Sequence, residues 1–341
     1  MACSSPLKLW YDSRSRNEDN MRLRVLRVTS QDVKPEFAGD DYVKCIDIPC
    51  GQCIGCRLDY SRRWADRLML ELQLHDEKKC WFVTLTYDDD HIDDFDTCLR
   101  LSADPQTGEI GESFYRSLNV KNLQDFMKRL RYACYPDKIR FFAAGEYGET
   151  SGRPHYHLIL FNCDLERFGW DQKYLSHNLC NQEYKSSLLI QEKWPFGFNV
   201  CAPVTWKDCA YVSRYILKKQ KGEGAEVYKQ RNIDPPFTVM SRKPGIAREY
   251  YDLHPESVCD KTFLGDMNGK VEITPPKYFR EILNYQDPEE WLRLVERDIK
   301  TATNFKNSIL KSTTKSKAEL NEDYAKALDK YSEKHTMYRK L

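Results

Sequence analysis

Alternating apolar and polar positions predict the strands of a sheet. Residues 81–87 alternate between a mainly apolar set and a second set that includes Thr84 and Thr86. The two sets therefore lie on opposite faces of a strand. Residues 139–144 and 156–161 are rich in apolar, aromatic or β-branched side chains, and these runs also favour strands.

Apolar residues at helical spacing predict helices over residues 57–75, 120–133 and 206–219. Residues 287–341 are rich in Lys, Glu and Leu and contain no glycine, so we expect them to be largely helical. Along the chain the central elements run strand, helix, strand, strand, an order typical of an antiparallel α+β fold. The sequence therefore predicts a central antiparallel sheet flanked by helices, with a helical C-terminal tail.

Turn-forming residues separate these elements. Residues 162–206 are expected to be a long connection with short pieces of structure, among them a short strand over 194–200. Residues 235–246 contain several prolines and are expected to form a loop with Arg242 and Lys243 at its tip. These two cations are candidates for DNA binding.

Two histidines on the strand that ends at Phe161 are candidate metal ligands. His155 and His157 share one strand face, with Cβ atoms about 6–7 Å apart because a strand rises about 3.3 Å per residue. Glycines before them give a bent connection that can bring Glu146 beside them. Two nitrogens and a carboxylate suit Mn²⁺ or Mg²⁺ at least as well as Zn²⁺. The alternative is a half-buried strand with polar residues on its wet face.

A second candidate metal site lies near residue 50. Cys50, Cys53 and Cys56 are three residues apart, with glycines between them, and Cys45 lies just upstream. Such turns can bring thiolates together on a tetrahedral ion, so these four residues are a possible structural zinc site. The alternative is a group of buried or spare thiols, because no second C-x-x-C pair follows at a distance.

Composition places limits on the function. The chain has 341 residues, 41% hydrophobic and 31% charged, and its net charge is only +1. Any basic surface for nucleic acid must therefore be local. The start of the chain lacks the apolar core of a signal peptide and no run of about 18 apolar residues occurs, so neither export nor a membrane span is predicted. Without export, the 13 cysteines are expected to be reduced or metal-bound.

The predicted helix over residues 206–219 supplies candidate nucleophiles. Tyr211 and Tyr215 are four residues apart and so lie on one helix face, with Arg214, Lys218 and Lys219 close by in sequence. Residues 205–250 hold ten Lys and Arg against five Asp and Glu, which favours a phosphate ligand.

A tyrosine oxygen can attack a phosphodiester and form a phosphotyrosine, which keeps the bond energy for resealing. A nearby divalent ion and Lys218 would assist the attack. The alternative is tyrosines that pack on a neighbouring element, with lysines that favour the helix C-terminus.

These motifs together resemble the HUH endonucleases of rolling-circle replication. The resemblance extends from about residue 50 to residue 246. Within this group, the motifs resemble the replication initiation proteins of small single-stranded DNA phages, the gokushovirus branch of the microvirus family. The motifs that carry it are Pro49-Cys50-Gly51-x-Cys53-x-x-Cys56, Gly145-Glu146-Tyr147-Gly148, Arg153-Pro154-His155-Tyr156-His157 and Tyr211-Val212-Ser213-Arg214-Tyr215-Ile216-Leu217-Lys218-Lys219.

The resemblance implies a metal-dependent nickase. It would cut origin DNA, single-stranded or supercoiled, remain attached through a 5′-phosphotyrosine, and later rejoin the displaced strand. It also implies host helicase and polymerase as partners and the cytoplasm of the host bacterium as the location. In this family a lysine lies three residues after a tyrosine. Lys218 has this position relative to Tyr215, whereas Arg214 occupies it relative to Tyr211. Arginine stays protonated and cannot act as a proton carrier, so Tyr215 is expected to be better activated.

The predicted organisation has four segments: a cysteine-rich part over residues 1–56, with a strand at 23–28, an HUH-type domain over 57–225, a basic loop region over 226–286 that could bind DNA, and the tail. Arg153 and Arg214 are further DNA-binding candidates.

Two other functions stay open, namely a non-catalytic nucleic-acid-binding protein with structural zinc, and a hydrolytic metal nuclease in which water attacks.

Overall fold

The computed structural model describes residues 3, 5–16, 22–92, 99–103, 107–114, 116–148, 152–177, 183–218, 226–231, 233–266, 269–316, 319–320, 322–327 and 330. The chain divides into two compact units, one formed by Met1–Arg63 with His254–Leu341 and the other by Trp64–Leu253. The four segments expected from the sequence divide the chain more finely, and that division stays a prediction.

The strands, in chain order, are β1 (Leu7–Arg16), β2 (Leu23–Thr29), β3 (Val43–Ile48), β4 (Trp81–Tyr87), β5 (Leu99–Ala103), β6 (Ile110–Phe114), β7 (Arg140–Tyr147), β8 (Pro154–Phe161), β9 (Trp170–His177), β10 (Glu183–Ser187), β11 (Gly197–Pro203), β12 (Phe237–Met240), β13 (Thr262–Asp266) and β14 (Gly269–Ile273). The helices are α1 (Ile54–Leu72), α2 (Asp89–Ile92), α3 (Val120–Ala133), α4 (Leu188–Lys193), α5 (Trp206–Lys218), α6 (Glu226–Gln230), α7 (Arg248–Leu253), α8 (Lys277–Gln286) and α9 (Pro288–Ser312).

The unit Trp64–Leu253 is built on a seven-stranded sheet in the order β12–β7–β8–β4–β11–β10–β9. All neighbouring strands in it are antiparallel, so the predicted α+β class with a central antiparallel sheet is confirmed. The connection expected over residues 162–206 holds more regular structure than the short pieces predicted, because it contributes β9 and β10 as well as β11. The expected loop over residues 235–246 contains β12, an edge strand that directly follows two prolines.

One face of this sheet carries the hydrophobic core. Helix α3 buries Leu123, Phe126, Met127 and Leu130 against it, and Trp194 is fully buried among them. The side chain of Asn119 caps α3 by accepting hydrogen bonds from the amides of Lys121 and Asn122. Each fully buried aromatic side chain of this kind contributes about 1.5–3 kcal/mol. The side chains of β4 alternate between the two faces of the sheet, and Val83 and Leu85 lie in this core. Thr84 and Thr86 therefore lie on the opposite face.

The other unit contains a three-stranded sheet in the order β2–β1–β3 and a hairpin of β13 and β14. Strand β2 confirms the strand expected over residues 23–28. Helices α8 and α9 are joined by an ion pair of 3.0 Å between Arg280 and Asp298. No helix in the described ranges combines the length and the apolar character that crossing a bilayer requires.

Gly197, the first residue of β11, is held closely against the backbone of β4. It pairs with Tyr87 and has a φ of +150°, and an added Cβ would collide with the backbone at Thr86, Tyr87 and Asp88. We therefore expect Gly197→Ala to lower the free energy of unfolding by at least about 2 kcal/mol, measured by urea denaturation. Gly39→Ala, where a Cβ meets nothing within 4 Å, should stay within about 0.5 kcal/mol. Equal effects of the two changes would contradict this assignment.

Candidate functional site

The two histidines of β8 lie opposite the two threonines of β4. The strand register pairs His157 with Thr84 and His155 with Thr86. The threonine hydroxyl oxygens lie 3.0 Å from Nδ1 of His157 and 3.1 Å from Nδ1 of His155. A partner at Nδ1 fixes the ring orientation and leaves Nε2 as the nitrogen for a ligand.

Glu146 reaches the same face from β7. It pairs with His155 in the sheet, and its Oε1 lies 2.9 Å from Nε2 of His157. Glu146 and His157 are both buried, with 5% and 6% of their surface exposed. The expected approach of the carboxylate to the histidines is therefore present, although the carboxylate lies on a strand and not on the bent connection.

The three side chains are not arranged to share one ion as they stand. The ring centroids of His155 and His157 are 6.5 Å apart. Within the described part of the chain, only a group of cysteines has all its ligand atoms within 4.8 Å of one another. A metal–ligand bond of about 2.1 Å means that two ligands of one ion lie within roughly 4.2 Å. An ion held by both histidines and Glu146 therefore requires at least one of the three side chains to move.

Tyr211 stands beside this group. It lies on α5, and its ring centroid is 5.3 Å from that of His157, with the two rings nearly perpendicular. Phe82 stacks on His157 with centroids 5.9 Å apart and also meets the edge of Tyr211. Tyr211 is 41% exposed, whereas its neighbour Val212 is fully buried. The helix thus presents the phenol at an accessible position next to the histidine strand.

The remaining helix candidates are placed by their backbones. Tyr215 follows Tyr211 by four residues in α5, and Lys218 is the last residue of that helix. The side chains of both residues lie outside the described part of the structure, and so does Lys219 as a whole. Arg214 is exposed on α5.

Other tyrosines near the histidine strand are structural. The hydroxyl of Tyr156 lies 2.9 Å from that of Tyr87 and donates to the carbonyl of Asn119. Burial raises the pKa of Tyr156 well above its usual range, and that of Tyr147 to about 12. A phenol with a raised pKa is a poorer nucleophile, so these two tyrosines are unsuited to attack.

The predicted DNA-binding cations lie at separate places. Arg153, just before β8, donates to the carbonyl oxygen of Tyr87 at 2.7 Å and forms an ion pair with Asp89. Its guanidinium therefore links the end of β4 to α2. Arg242 and Lys243 are exposed in the turn that follows β12.

The cysteine cluster is formed by Cys3, Cys50, Cys53 and Cys56, a group that could hold a metal ion. Cys3 takes the place that the sequence suggested for Cys45, which lies in β3 opposite Trp10. The reason is the pairing of β1 with β3, which sets Leu7 opposite Ile48 and so brings the start of the chain to Cys50. The spacing of the cysteines in the sequence could not identify Cys3, because it reaches Cys50 only through the pairing of two strands that are distant in the chain.

Comparison with known proteins relates the chain to phage replication proteins. Residues 80–220 match the family model for replication-associated proteins of the ORF2 type. The chain is 28% identical over 281 residues to replication-associated protein ORF2 of Spiroplasma virus 4, covering 82% of this chain and 79% of the relative. It is 28% identical over 244 residues to replication-associated protein VP4 of Bdellovibrio phage phiMH2K, covering 72% of this chain and 70% of the relative.

Replication-associated protein ORF4 of Chlamydia phage 1 is 29% identical over 175 residues, which are 50% of this chain and 38% of the relative. No solved structure gives a significant match. The relationship to phage replication-associated proteins predicted from the motifs is confirmed, while the HUH-type architecture stays a prediction.

Proposed function

We propose that this relative of the phage replication-associated proteins initiates viral DNA replication by nicking circular phage DNA. It does so by tyrosine transesterification, remains linked to the 5′ end, and later rejoins the displaced strand. The observation that carries the proposal is the exposed Tyr211 ring beside His157, whose Nε2 contacts Glu146. A candidate nucleophile thus lies next to two candidate metal ligands on the face of the sheet that carries Thr84 and Thr86.

The covalent step conserves atoms and charge. The phenol oxygen forms a bond to phosphorus, the bond from phosphorus to the 3′ oxygen breaks, and that oxygen takes up the proton that the phenol gives up. The products are a 5′-phosphotyrosine and a 3′-hydroxyl from which a polymerase can extend. Rejoining is the reverse reaction, in which the 3′-hydroxyl attacks the phosphotyrosine. Two tyrosines allow one to hold the first end while the other makes the next cut.

Glu146, His155 and His157 are the residues that would hold Mg²⁺ or Mn²⁺. One carboxylate and two imidazoles suit these ions and leave positions for water and phosphate. When bound, the ion stabilises the charge that develops on the phosphate oxygens. Thr84 and Thr86 orient the imidazoles through Nδ1.

The proposed partners are origin DNA, as a single-stranded or supercoiled circle, and the helicase and polymerase of the host bacterium. Arg153, Arg214, Lys219, Arg242 and Lys243 are the proposed DNA contacts. Lys218 is proposed to lower the pKa of the attacking tyrosine or to hold the phosphate.

The test is to incubate the full chain with the phage's single-stranded circle and Mn²⁺ or Mg²⁺, then to separate the products under denaturing conditions. The proposal expects nicked DNA that remains attached to protein. A non-catalytic binding protein would leave the circle intact. A hydrolytic nuclease would nick the circle and leave no protein attached.

We also propose a structural zinc ion at Cys3, Cys50, Cys53 and Cys56. Four sulfurs at Zn–S bonds of about 2.3 Å form a tetrahedron with edges of about 3.8 Å. The Cys3 and Cys53 sulfurs lie 3.8 Å apart, and those of Cys50 and Cys56 lie 4.0 Å apart. The Cys53 amide donates to the Cys50 sulfur at 3.3 Å, a contact that stabilises a thiolate. The ion would join the start of β1 to the start of α1.

The zinc proposal assigns Cys3, and not Cys45, as the fourth ligand, a choice that sequence spacing alone cannot make. We expect the purified chain to carry one zinc ion per molecule, measured by inductively coupled plasma mass spectrometry. Cys3→Ser should lose the ion and lower the thermal midpoint, because three thiolates bind it less tightly. Cys45→Ser is the matched control and should keep it. Zinc retained by Cys3→Ser, or lost equally by Cys45→Ser, would contradict this ligand set.

A further inference from the structure

Exposed aromatic and basic side chains lie together at the end of the sheet where β7 begins. Tyr132, in the last turn of α3, and Tyr135, just after that helix, are 87% and 82% exposed. This surface, which we call the end patch, comprises Arg131, Tyr132, Tyr135, Lys138, Arg242 and Lys243, all of them exposed. Tyrosines this exposed pack against no core, so their faces are available to a ligand.

Two turns of the chain meet in the end patch. The Arg131 guanidinium lies 3.5 Å from the Ser241 hydroxyl, and its Nε donates to the carbonyl of Ile139 at 3.3 Å. The Ser241 hydroxyl also accepts from the amide of Phe141 at 3.1 Å. The end of α3 and the turn that carries Arg242 are therefore held side by side.

The basic turn is fixed by hydrogen bonds to successive carbonyl groups. Arg140 donates to the carbonyl oxygens of Pro244 and Gly245, each at 3.0 Å. Arg67 donates to the carbonyl of Ile246 at 2.8 Å. A turn held in this way presents its cations with little loss of freedom on binding, which favours affinity.

Glu71 anchors this arrangement from the interior. It is 1% exposed and accepts hydrogen bonds from Arg140 and from the amide of Ala247. Burial acts to raise the pKa of Glu71, but hydrogen bonds from His75, Arg140 and Ala247 outweigh it and the pKa is lowered. A charged carboxylate therefore holds Arg140 in place.

The end patch is separate from the candidate cutting site. Arg140 and Glu146 are six residues apart on β7, which is about 20 Å at roughly 3.3 Å per residue. A stacked DNA strand advances about 3.4 Å per nucleotide, so this span corresponds to about six nucleotides. A single strand that contacts both places must therefore span at least about six nucleotides.

We propose that the end patch binds single-stranded DNA at least about six nucleotides from the cut, with bases stacked on Tyr132 and Tyr135 and phosphates at Arg242 and Lys243. The inference rests on the proposed function. Exposed aromatic rings among cations are the combination by which proteins hold single strands without sequence preference. The patch would keep the flanking strand attached while the active site cuts and rejoins.

The test is the affinity of the full chain for a fluorescent 24-nucleotide oligothymidylate, measured by anisotropy over a series of salt concentrations. Stacking on one ring contributes about 1–3 kcal/mol, so Tyr132→Ala/Tyr135→Ala should weaken binding at least about 10-fold. Tyr132→Phe/Tyr135→Phe keeps the rings and should bind as the wild type does. Arg242→Gln/Lys243→Gln should reduce the slope of log affinity against log salt by about 1.4, because each phosphate contact on a single strand contributes about 0.7.

Lys300→Gln/Lys311→Gln, which removes two exposed cations of α9, is the matched control and should leave the slope unchanged. Equal affinities of the alanine and phenylalanine pairs would overturn the proposal, as would an equal loss of slope in the control. The readout needs no cleavage, so it can fail while covalent nicking by the wild type succeeds. A patch that serves another kind of partner would leave oligothymidylate binding unchanged in every variant.

Discussion

Tyr211→Phe/Tyr215→Phe forms no detectable covalent complex with phage DNA. Removing the nucleophile of a covalent mechanism lowers the rate by at least about 10³-fold, and no other group can take over the ester. The phenylalanine at 211 keeps the ring that packs 5.3 Å from His157, so folding is expected to be preserved. The measurement is the yield of protein–DNA complex on a denaturing gel, with circular dichroism as the control for folding.

The single variants show which of the two tyrosines makes the first cut. Arg214 follows Tyr211 where Lys218 follows Tyr215, so we expect Tyr215→Phe to reduce the first cut more than Tyr211→Phe does. Tyr228→Phe is the matched control, because this tyrosine lies in α6 and stacks on Tyr147, which packs against the hydrophobic core. A double variant that forms as much complex as the wild type would refute the nucleophile assignment.

His157→Ala, Glu146→Ala and removal of divalent ions each lower nicking at least about 100-fold. The physical reason is the same in each case, because the scissile phosphate loses the cation that stabilises its developing charge. Returning Mn²⁺ after chelation should restore the wild type and leave both variants inactive. The measurement is the initial rate of nicking over a series of Mn²⁺ concentrations.

Both of these side chains are buried, so each variant also needs a readout besides activity. Isothermal titration should detect Mn²⁺ binding to the wild type and much weaker binding to the variants. His254→Ala removes an exposed histidine from the other unit and should change neither quantity. Full nicking in thoroughly chelated protein would contradict a role for a metal.

Local patterns predicted the central elements well. Strand β4 and helix α3 have the bounds that alternation and helical spacing indicated, because their buried faces alternate regularly with polar positions. Strands β9 and β10 were missed because they lie at one edge of the sheet and are largely polar, with the sequences Trp-Asp-Gln-Lys-Tyr-Leu-Ser-His and Glu-Tyr-Lys-Ser-Ser. Edge strands need little apolar surface, so periodicity is a weak guide to them.

The candidate site was predictable in its residue types and less so in its geometry. The two-residue spacing of His155 and His157 fixes their common face, but only the register of β7 against β8 brings Glu146 to His157. The place of Cys3 in the cysteine cluster and the contacts of Glu71 depend in the same way on contacts across the fold. Sequence patterns indicate local geometry, whereas contacts between distant segments depend on how the strands pair within the whole sheet.

The most direct test of tyrosine attack is to digest the covalent complex with trypsin and nuclease and to locate the attached nucleotide by mass spectrometry. We predict a 5′-nucleotide phosphate on the peptide that carries Tyr211 or Tyr215. Nicked DNA with a free 5′-phosphate and no attached peptide, or attachment at a residue outside α5, would contradict it.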